Sequence, residues 1–138
     1  MTREAITRVE DVMTVAPHII DGLANVRDAI DLMRDKHVSS LIIDKRHDGD
    51  EYGIVTVHDI AEKVIAIDRS ASRTSVYEIM SKPVLTVSRQ MNIKYAMRQL
   101  TQFRLTRALV VEDGKMVGIV TLRDMAVRYV DANEPNGG

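Results

Sequence analysis

Cysteine and tryptophan are missing from the 138 residues. Without cysteine there is no disulfide, no thiolate nucleophile and no zinc–thiolate site, a composition that suits the cytoplasm. Aromatic residues make up only 4%. Tyr52, Tyr77, Tyr95, Phe103 and Tyr129 are too scattered to give the stacking stripe that single-stranded nucleic acid needs. The glycines Gly49, Gly53, Gly114 and Gly118 stand singly, which excludes a glycine-rich phosphate loop. No apolar run approaches the roughly 20 residues that span a bilayer. The opening residues Met1 to Ala5 lack the apolar core of an export signal. Net charge is −1, so no overall field draws the chain to nucleic acid. Membranes and nucleic acids are therefore not expected partners.

Catalytic patterns are scarce too. No Gly-x-Ser-x-Gly motif places a nucleophile, so no catalytic residue is assigned. His18, His37, His47 and His58 do not pair with a second ligand at helical spacing, so no metal site is assigned. Met13, Met33, Met80 and Met97 fall on helical or junction positions and read as core filler.

What is present is ordinary in amount and unusual in order. Hydrophobic residues are 45% and charged residues 28%, the balance of a soluble globular protein. The length suits one compact domain or two small repeats with a shared core. Charge is uneven: residues 1–70 hold 9 Lys+Arg against 14 Asp+Glu, residues 71–138 hold 10 against 6. The imbalance would suit an anionic ligand near the second half, or a dimer pairing unlike halves, or it is scattered solvated charge.

The chain repeats itself. Asp11-Val12-Met13-Thr14 matches Glu78-Ile79-Met80-Ser81, and Pro17 and Pro83 follow the two copies. Asn25-Val26 matches Asn92-Ile93, and Ala29, Ile30 and Met33 match Ala96, Met97 and Leu100. Gly53-Ile54-Val55-Thr56-Val57-His58-Asp59 matches Gly118-Ile119-Val120-Thr121-Leu122-Arg123-Asp124. Residues 1–70 and 71–133 are thus expected as two repeats, with 134–138 as a mobile tail.

Each repeat predicts the same elements. Residues 8–13 and Val76 to Met80 read as short lead helices. His18 to Ile20 and Val84 to Val87 read as extended after a proline. Asn25 is placed as a helix N-cap with Asp28 reaching back. Val26, Ala29, Ile30 and Met33, and then Ile93, Ala96, Met97 and Leu100, have the spacing of a buried helix face. Leu41 to Ile43 with Tyr52 to Val57, and Ala108 to Val111 with Met116 to Val120, read as paired strands. The second pair turns at Asp113-Gly114, a strong hairpin signal. Final helices are expected over Asp59 to Ile67, burying Ile60, Val64 and Ile67, and over Asp124 to Val130. Asp68 to Ser75 reads as a linker too short for the repeats to swing freely.

Thr56-x-x-Asp59 and Thr121-x-x-Asp124 admit two readings. Each fits a capping box opening a helix. Each also sets a hydroxyl and a carboxylate at a strand–helix joint, where an acid can hold ribose hydroxyls and a helix N-terminus attracts phosphate.

The lead Met-Thr/Ser, the aliphatic central strand and the closing Gly-h-x-Thr-x-x-Asp (h aliphatic), all twice, resemble a tandem cystathionine-beta-synthase (CBS) domain pair, or Bateman module. The resemblance covers roughly residues 8–131. It implies an α+β fold of two βαββα repeats packed sheet to sheet about a pseudo-two-fold axis. It also implies an adenosine-containing ligand, such as AMP, ADP, ATP, S-adenosylmethionine or NAD, in clefts between the repeats. Asp59 and Asp124 would then hold ribose, with Thr56 and Thr121 beside them. Pro83, Val84 and Leu85 would lie near the Asp59 site, and Thr14, Pro17, His18 and Ile19 near the Asp124 site. His58 and Arg123 would reach phosphate. Arg107 matches a phosphate-contacting arginine of the family. The first repeat has Ser39-Ser40 in that region and no arginine, so the Asp124 site is expected to be the stronger phosphate binder.

The expected function is regulatory: a cytoplasmic sensor of an adenine nucleotide, needing no other cofactor, forming a homodimer and acting on a separate partner. A structural dimerisation module without ligand and a small nucleotide-processing enzyme are the alternatives.

Overall fold

The computed structural model describes residues 6–15, 17–82 and 84–134. Its elements in order are strands β1 (Thr14–Val15) and β2 (Ile19–Ile20), helix α1 (Val26–Lys36), strands β3 (Ser40–Ile43) and β4 (Gly53–Thr56) and helix α2 (Val57–Ile60). Then come β5 (Thr86–Val87), α3 (Ile93–Gln102), β6 (Arg107–Glu112), β7 (Lys115–Thr121) and α4 (Leu122–Asn133). The class is α+β, with one sheet ordered β1-β7-β6-β5 and another ordered β2-β3-β4. Residues 135–138 of the expected tail, and Pro83, lie outside the described residues.

Two compact units form, and their boundaries are not those of the sequence repeats. One runs from Pro17 to Val84; the other joins the segment up to Ala16 to the chain from Leu85 onward. Each repeat's lead segment is therefore built into the unit that carries the other repeat's helix and hairpin. Backbone bonds make this concrete. Val9 N donates to Met91 O at 2.8 Å and Ile93 N to Thr7 O at 2.9 Å. In the other unit, Val76 N donates to Ala24 O and Val26 N to Thr74 O, both at 2.8 Å. These bonds satisfy amides at the helix starts that have no partner within the helix. The expected linker consequently ends early. Ala71–Arg73 form a 3-10 turn and Thr74 is buried, because its carbonyl is committed to α1.

The cores follow the expected periodicities. In the Pro17–Val84 unit, Val26, Ala29 and Met33 of α1 pack with Leu41, Ile43 and Val55 of the sheet and with Ile60, Val64, Val76 and Ile79. In the other unit, Ile93, Ala96 and Leu100 of α3 meet Ala108, Val110, Val120, Val87, Val9 and Met125. Ile30 and Met97 are only partly buried, on the flanks of their stripes. Each fully buried Leu or Ile side chain contributes about 1.5–3 kcal/mol. Ile42 and Leu109 alternate out of these clusters yet are also buried, so the central strands are covered on both faces.

Three local expectations are corrected. The lead helices are single 3-10 turns, Val9–Asp11 and Val76–Glu78. The helix expected from Asp59 to Ile67 starts at Val57, because Thr56 is its cap, and widens into a π-helical segment over Ala61–Ile65. Ala66 N there donates to Ala61 O at 2.8 Å. The wider turn carries Ile67 off the stripe of Ile60 and Val64, and Ile67 is 60% exposed. The expected hairpin turn is where it should be: Asp113 and Gly114 both have positive φ, 52° and 76°, the conformation of a two-residue turn.

Candidate functional site

The two Gly-Ile-Val-Thr strands owe their glycines to a crossing chain. A Cβ on Gly118 would stand 2.8 Å from Met13 Sδ and 2.9 Å from Thr14 O. One on Gly53 would stand 2.9 Å from Met80 Sδ and 3.3 Å from Ser81 O. The lead Met-Thr/Ser of one repeat lies directly over the glycine of the other. β1 pairs with β7 through Thr14 to Ile119, and Ser81 bridges to Ile54. The motif that opens each repeat and the motif that closes the other therefore meet in space, a reason for their co-occurrence that spacing along the chain conceals.

Both threonines are helix N-caps in extended conformation. Thr56 Oγ1 and Thr121 Oγ1 each accept from the amide of the aspartate three residues on, at 3.1 Å. The carboxylates then diverge. Asp59 completes a capping box: its Oδ2 accepts from Thr56 N and from Thr56 Oγ1, both at 3.0 Å. Its Oδ1 lies 3.4 Å from Lys63 Nζ, and the side chain is only 13% exposed. Asp124 makes no reciprocal cap bond among the described residues. Its carboxylate is 45% exposed and lies 3.7 Å from the exposed Arg123 guanidinium. The cap reading is thus complete at Thr56-x-x-Asp59, while Asp124 has acceptor capacity to spare at the start of the 12-residue α4.

Strand register assembles the rest of the Asp124 neighbourhood. Arg107 is directly opposite Thr121 on β6 and β7, so their side chains share a face. Thr14, on β1, pairs two residues upstream of Thr121. Leu85 O accepts from Leu109 N at 2.9 Å, which seats Leu85 beside β6. The same unit thus holds Thr14, Leu85, Arg107, Thr121, Arg123 and Asp124. A groove of about 280 Å³ opens along α4 at Asp124, Val127 and Arg128, with Asp11 and Val12 on its far wall.

In the Pro17–Val84 unit, Ser40 stands opposite Thr56 where the other unit has Arg107 opposite Thr121. Ile42 N donates to His18 O at 2.9 Å, which seats Pro17, His18 and Ile19 along β3 in the unit of Asp59. Val84 N donates to Tyr52 O, ahead of β4 and away from Thr56. His58 is exposed and 2.9 Å from Glu62. A cleft of about 440 Å³ at the other end of β3 is lined by Ile19, Leu23, Ile43, Arg46 and Tyr77. Of the expected site residues it takes in Ile19 alone. Arg46 stacks over the Tyr77 ring at 4.4 Å.

The sequence reading missed Lys63 and Lys82. The Lys82 ammonium, 2.6 Å from Asp50, holds that carboxyl far below the usual range, and amides of the Arg46–Glu51 loop add to the effect. Asp50 in turn raises Lys82. The only signal for Lys63 is its spacing, four residues after Asp59 on one helix.

Comparison with known proteins agrees with this architecture. The CBS domain family model matches residues 9–66 and 76–131. The uncharacterized protein MK0525 of Methanopyrus kandleri is 32% identical over 94 residues, covering 67% of this chain. The match spans only 47% of that relative's own length. The hexameric CBS-CP12 protein from bloom-forming cyanobacteria superposes with a TM-score of 0.88 at 34% identity, over 96% of this chain and 77% of that one. The CBS domain pair of protein MJ0100, solved in complex with 5′-methylthioadenosine and S-adenosyl-L-methionine, has a TM-score of 0.78 at 25% identity, over 91% of this chain and 97% of that one. No helix among the described residues is long and apolar enough to cross a membrane. The chain belongs to the CBS domain family and carries its tandem pair, a regulatory module.

Proposed function

We propose that this pair binds an adenosine-containing ligand at Asp124 and transmits its occupancy to a partner protein. The observation that carries the reading is the open Asp124 carboxylate beside a helix N-terminus, with Arg107 on the same sheet face as Thr121. In the proposed mode Asp124 accepts from the ribose hydroxyls, and Arg107, the α4 amides and Arg123 supply the positive side toward phosphate. Leu85 and Thr14 flank the same strands. The adenosine class is supported by the ligands bound to the MJ0100 pair. Self-association is supported by the hexameric CBS-CP12 relative.

Regulation by such a ligand requires different affinities for two states of the module or its assembly. The proposed effect is binding without turnover. Thermal unfolding with AMP, ADP, ATP, NAD or S-adenosylmethionine tests it. A true ligand at a hundredfold excess over Kd stabilises by about 2.7 kcal/mol. Asp124→Ala should remove that shift. No stabilisation by any of the five up to millimolar concentration would refute the reading.

A further inference from the structure

The two copies of the motif are matched in sequence and unmatched in what occupies them. Asp59 Oδ2 is taken twice by Thr56, and Oδ1 faces the Lys63 ammonium. Lys63 is itself held in place, because Nζ donates to Ile79 O at 3.0 Å. Its counterpart is Arg128, which likewise follows its aspartate by four residues. Arg128 instead reaches the Asp11 carbonyl, at 3.4 Å. Each repeat thus sends a basic residue from its last helix to a carbonyl of the lead turn. The lysine lies 3.4 Å from its aspartate on the way; the arginine reaches the carbonyl.

We infer that Lys63 acts as a built-in occupant of the Asp59 site, so that the chain takes one adenosine-class ligand, at Asp124. This inference rests on the adenosine reading above. A ribose diol donates two hydroxyl hydrogens, while Asp59 Oδ2 already accepts twice and Oδ1 is ion-paired with the Lys63 ammonium at 3.4 Å. To bind there the diol competes with an ammonium for a carboxylate that is nearly buried, exchanging a charge-assisted contact for a neutral one. At Asp124 the ion-pair partner, Arg123, is 3.7 Å away and 85% exposed, so the competition is weaker. Lys63 is therefore the residue that sets the stoichiometry.

Amide NMR titration of the wild-type chain and of Lys63→Met, each with adenosine and with AMP, tests the inference. Adenosine is included because Ser40, unlike Arg107, offers no cationic partner for a phosphate. In the wild type the Thr121–Asp124 amides should shift and saturate while the Thr56–Asp59 amides stay in place. In Lys63→Met both sets should shift, the stoichiometry rising from one to two. Lys63→Gln serves as the second variant and is read in the same way. Shifts at Thr56–Asp59 in the wild type, or their absence in both folded Lys63 variants, overturn the inference while leaving the Asp124 site standing. If neither set moves in any protein, the adenosine reading falls and the inference falls with it.

Discussion

Replacing Asp59 by alanine should cost the fold more than replacing Asp124, although the two occupy the same motif position. At Asp59 the substitution removes the carboxylate that accepts from Thr56 N and Thr56 Oγ1. Hydrogen bonds to a charged group contribute about 1.5–3 kcal/mol, and the favourable position at a helix N-terminus about 0.3–1 kcal/mol. The Lys63 contact adds no more than about 0–1 kcal/mol, since Lys63 is 39% exposed and solvent screens the pair. The expected loss is about 2–5 kcal/mol. At Asp124 the reciprocal cap bond is absent among the described residues, and the Arg123 partner is 85% exposed. Only the dipole contribution is left, about 0.3–1 kcal/mol. Urea unfolding followed by circular dichroism should give a lower midpoint for Asp59→Ala at an unchanged slope, and a small shift for Asp124→Ala. Equal losses within about 0.5 kcal/mol, or a larger loss at Asp124, would show that the two carboxylates are not differently employed.

Two further outcomes follow from contacts away from the carboxylates. Gly118→Ala should destabilise by about 1–3 kcal/mol, the range for overpacking, because its Cβ meets the Thr14 carbonyl of a paired strand at 2.9 Å. Gly53→Ala should cost less, its closest contact being the flexible Met80 sulfur at 2.9 Å; chemical denaturation that ranks them the other way would refute this. Stability should be present above about pH 4 and fall as acid protonates Asp50 and Glu78. Lys82 and the Arg46 amide hold Asp50 below its ordinary value, and the Ser75 amide and Arg69 do the same for Glu78. Both folded carboxyls therefore bind protons less readily than the unfolded ones, so the loss runs downward in pH. Asp50→Asn should flatten that acid limb in a denaturant titration across pH 2–6, and an unchanged limb would count against the Lys82 pair.

Much of the fold is legible along the chain because its causes are local. Asn25 caps α1 with Asp28, the buried positions of α1 and α3 keep helical spacing, and Asp113-Gly114 turns the second hairpin. These follow from one turn of helix or two residues of backbone, and a sequence displays such causes directly. The π-helical segment at Ala61–Ile65 does not show itself, since its residues would serve a regular helix as well. Part of the candidate site is legible for the same reason: Thr121 and Asp124 share one helical turn.

By itself the sequence determined that a unit is used twice, that each copy alternates strand and helix, and that Thr-x-x-Asp opens the last helix of each. It also showed that the second copy has an arginine where the first has serine. The tertiary structure decided which segments belong together. Met13-Thr14 packs on Gly118 and Met80-Ser81 on Gly53, so each lead segment completes the other repeat's sheet. It also decided that Asp59 is engaged by Thr56 and Lys63 while Asp124 is open. The physical reason is that an acceptor's availability depends on which donors the fold brings within about 3.5 Å. Lys63 and Arg128 stand at the same spacing from their aspartates, and the fold directs the lysine past its aspartate and the arginine to the Asp11 carbonyl.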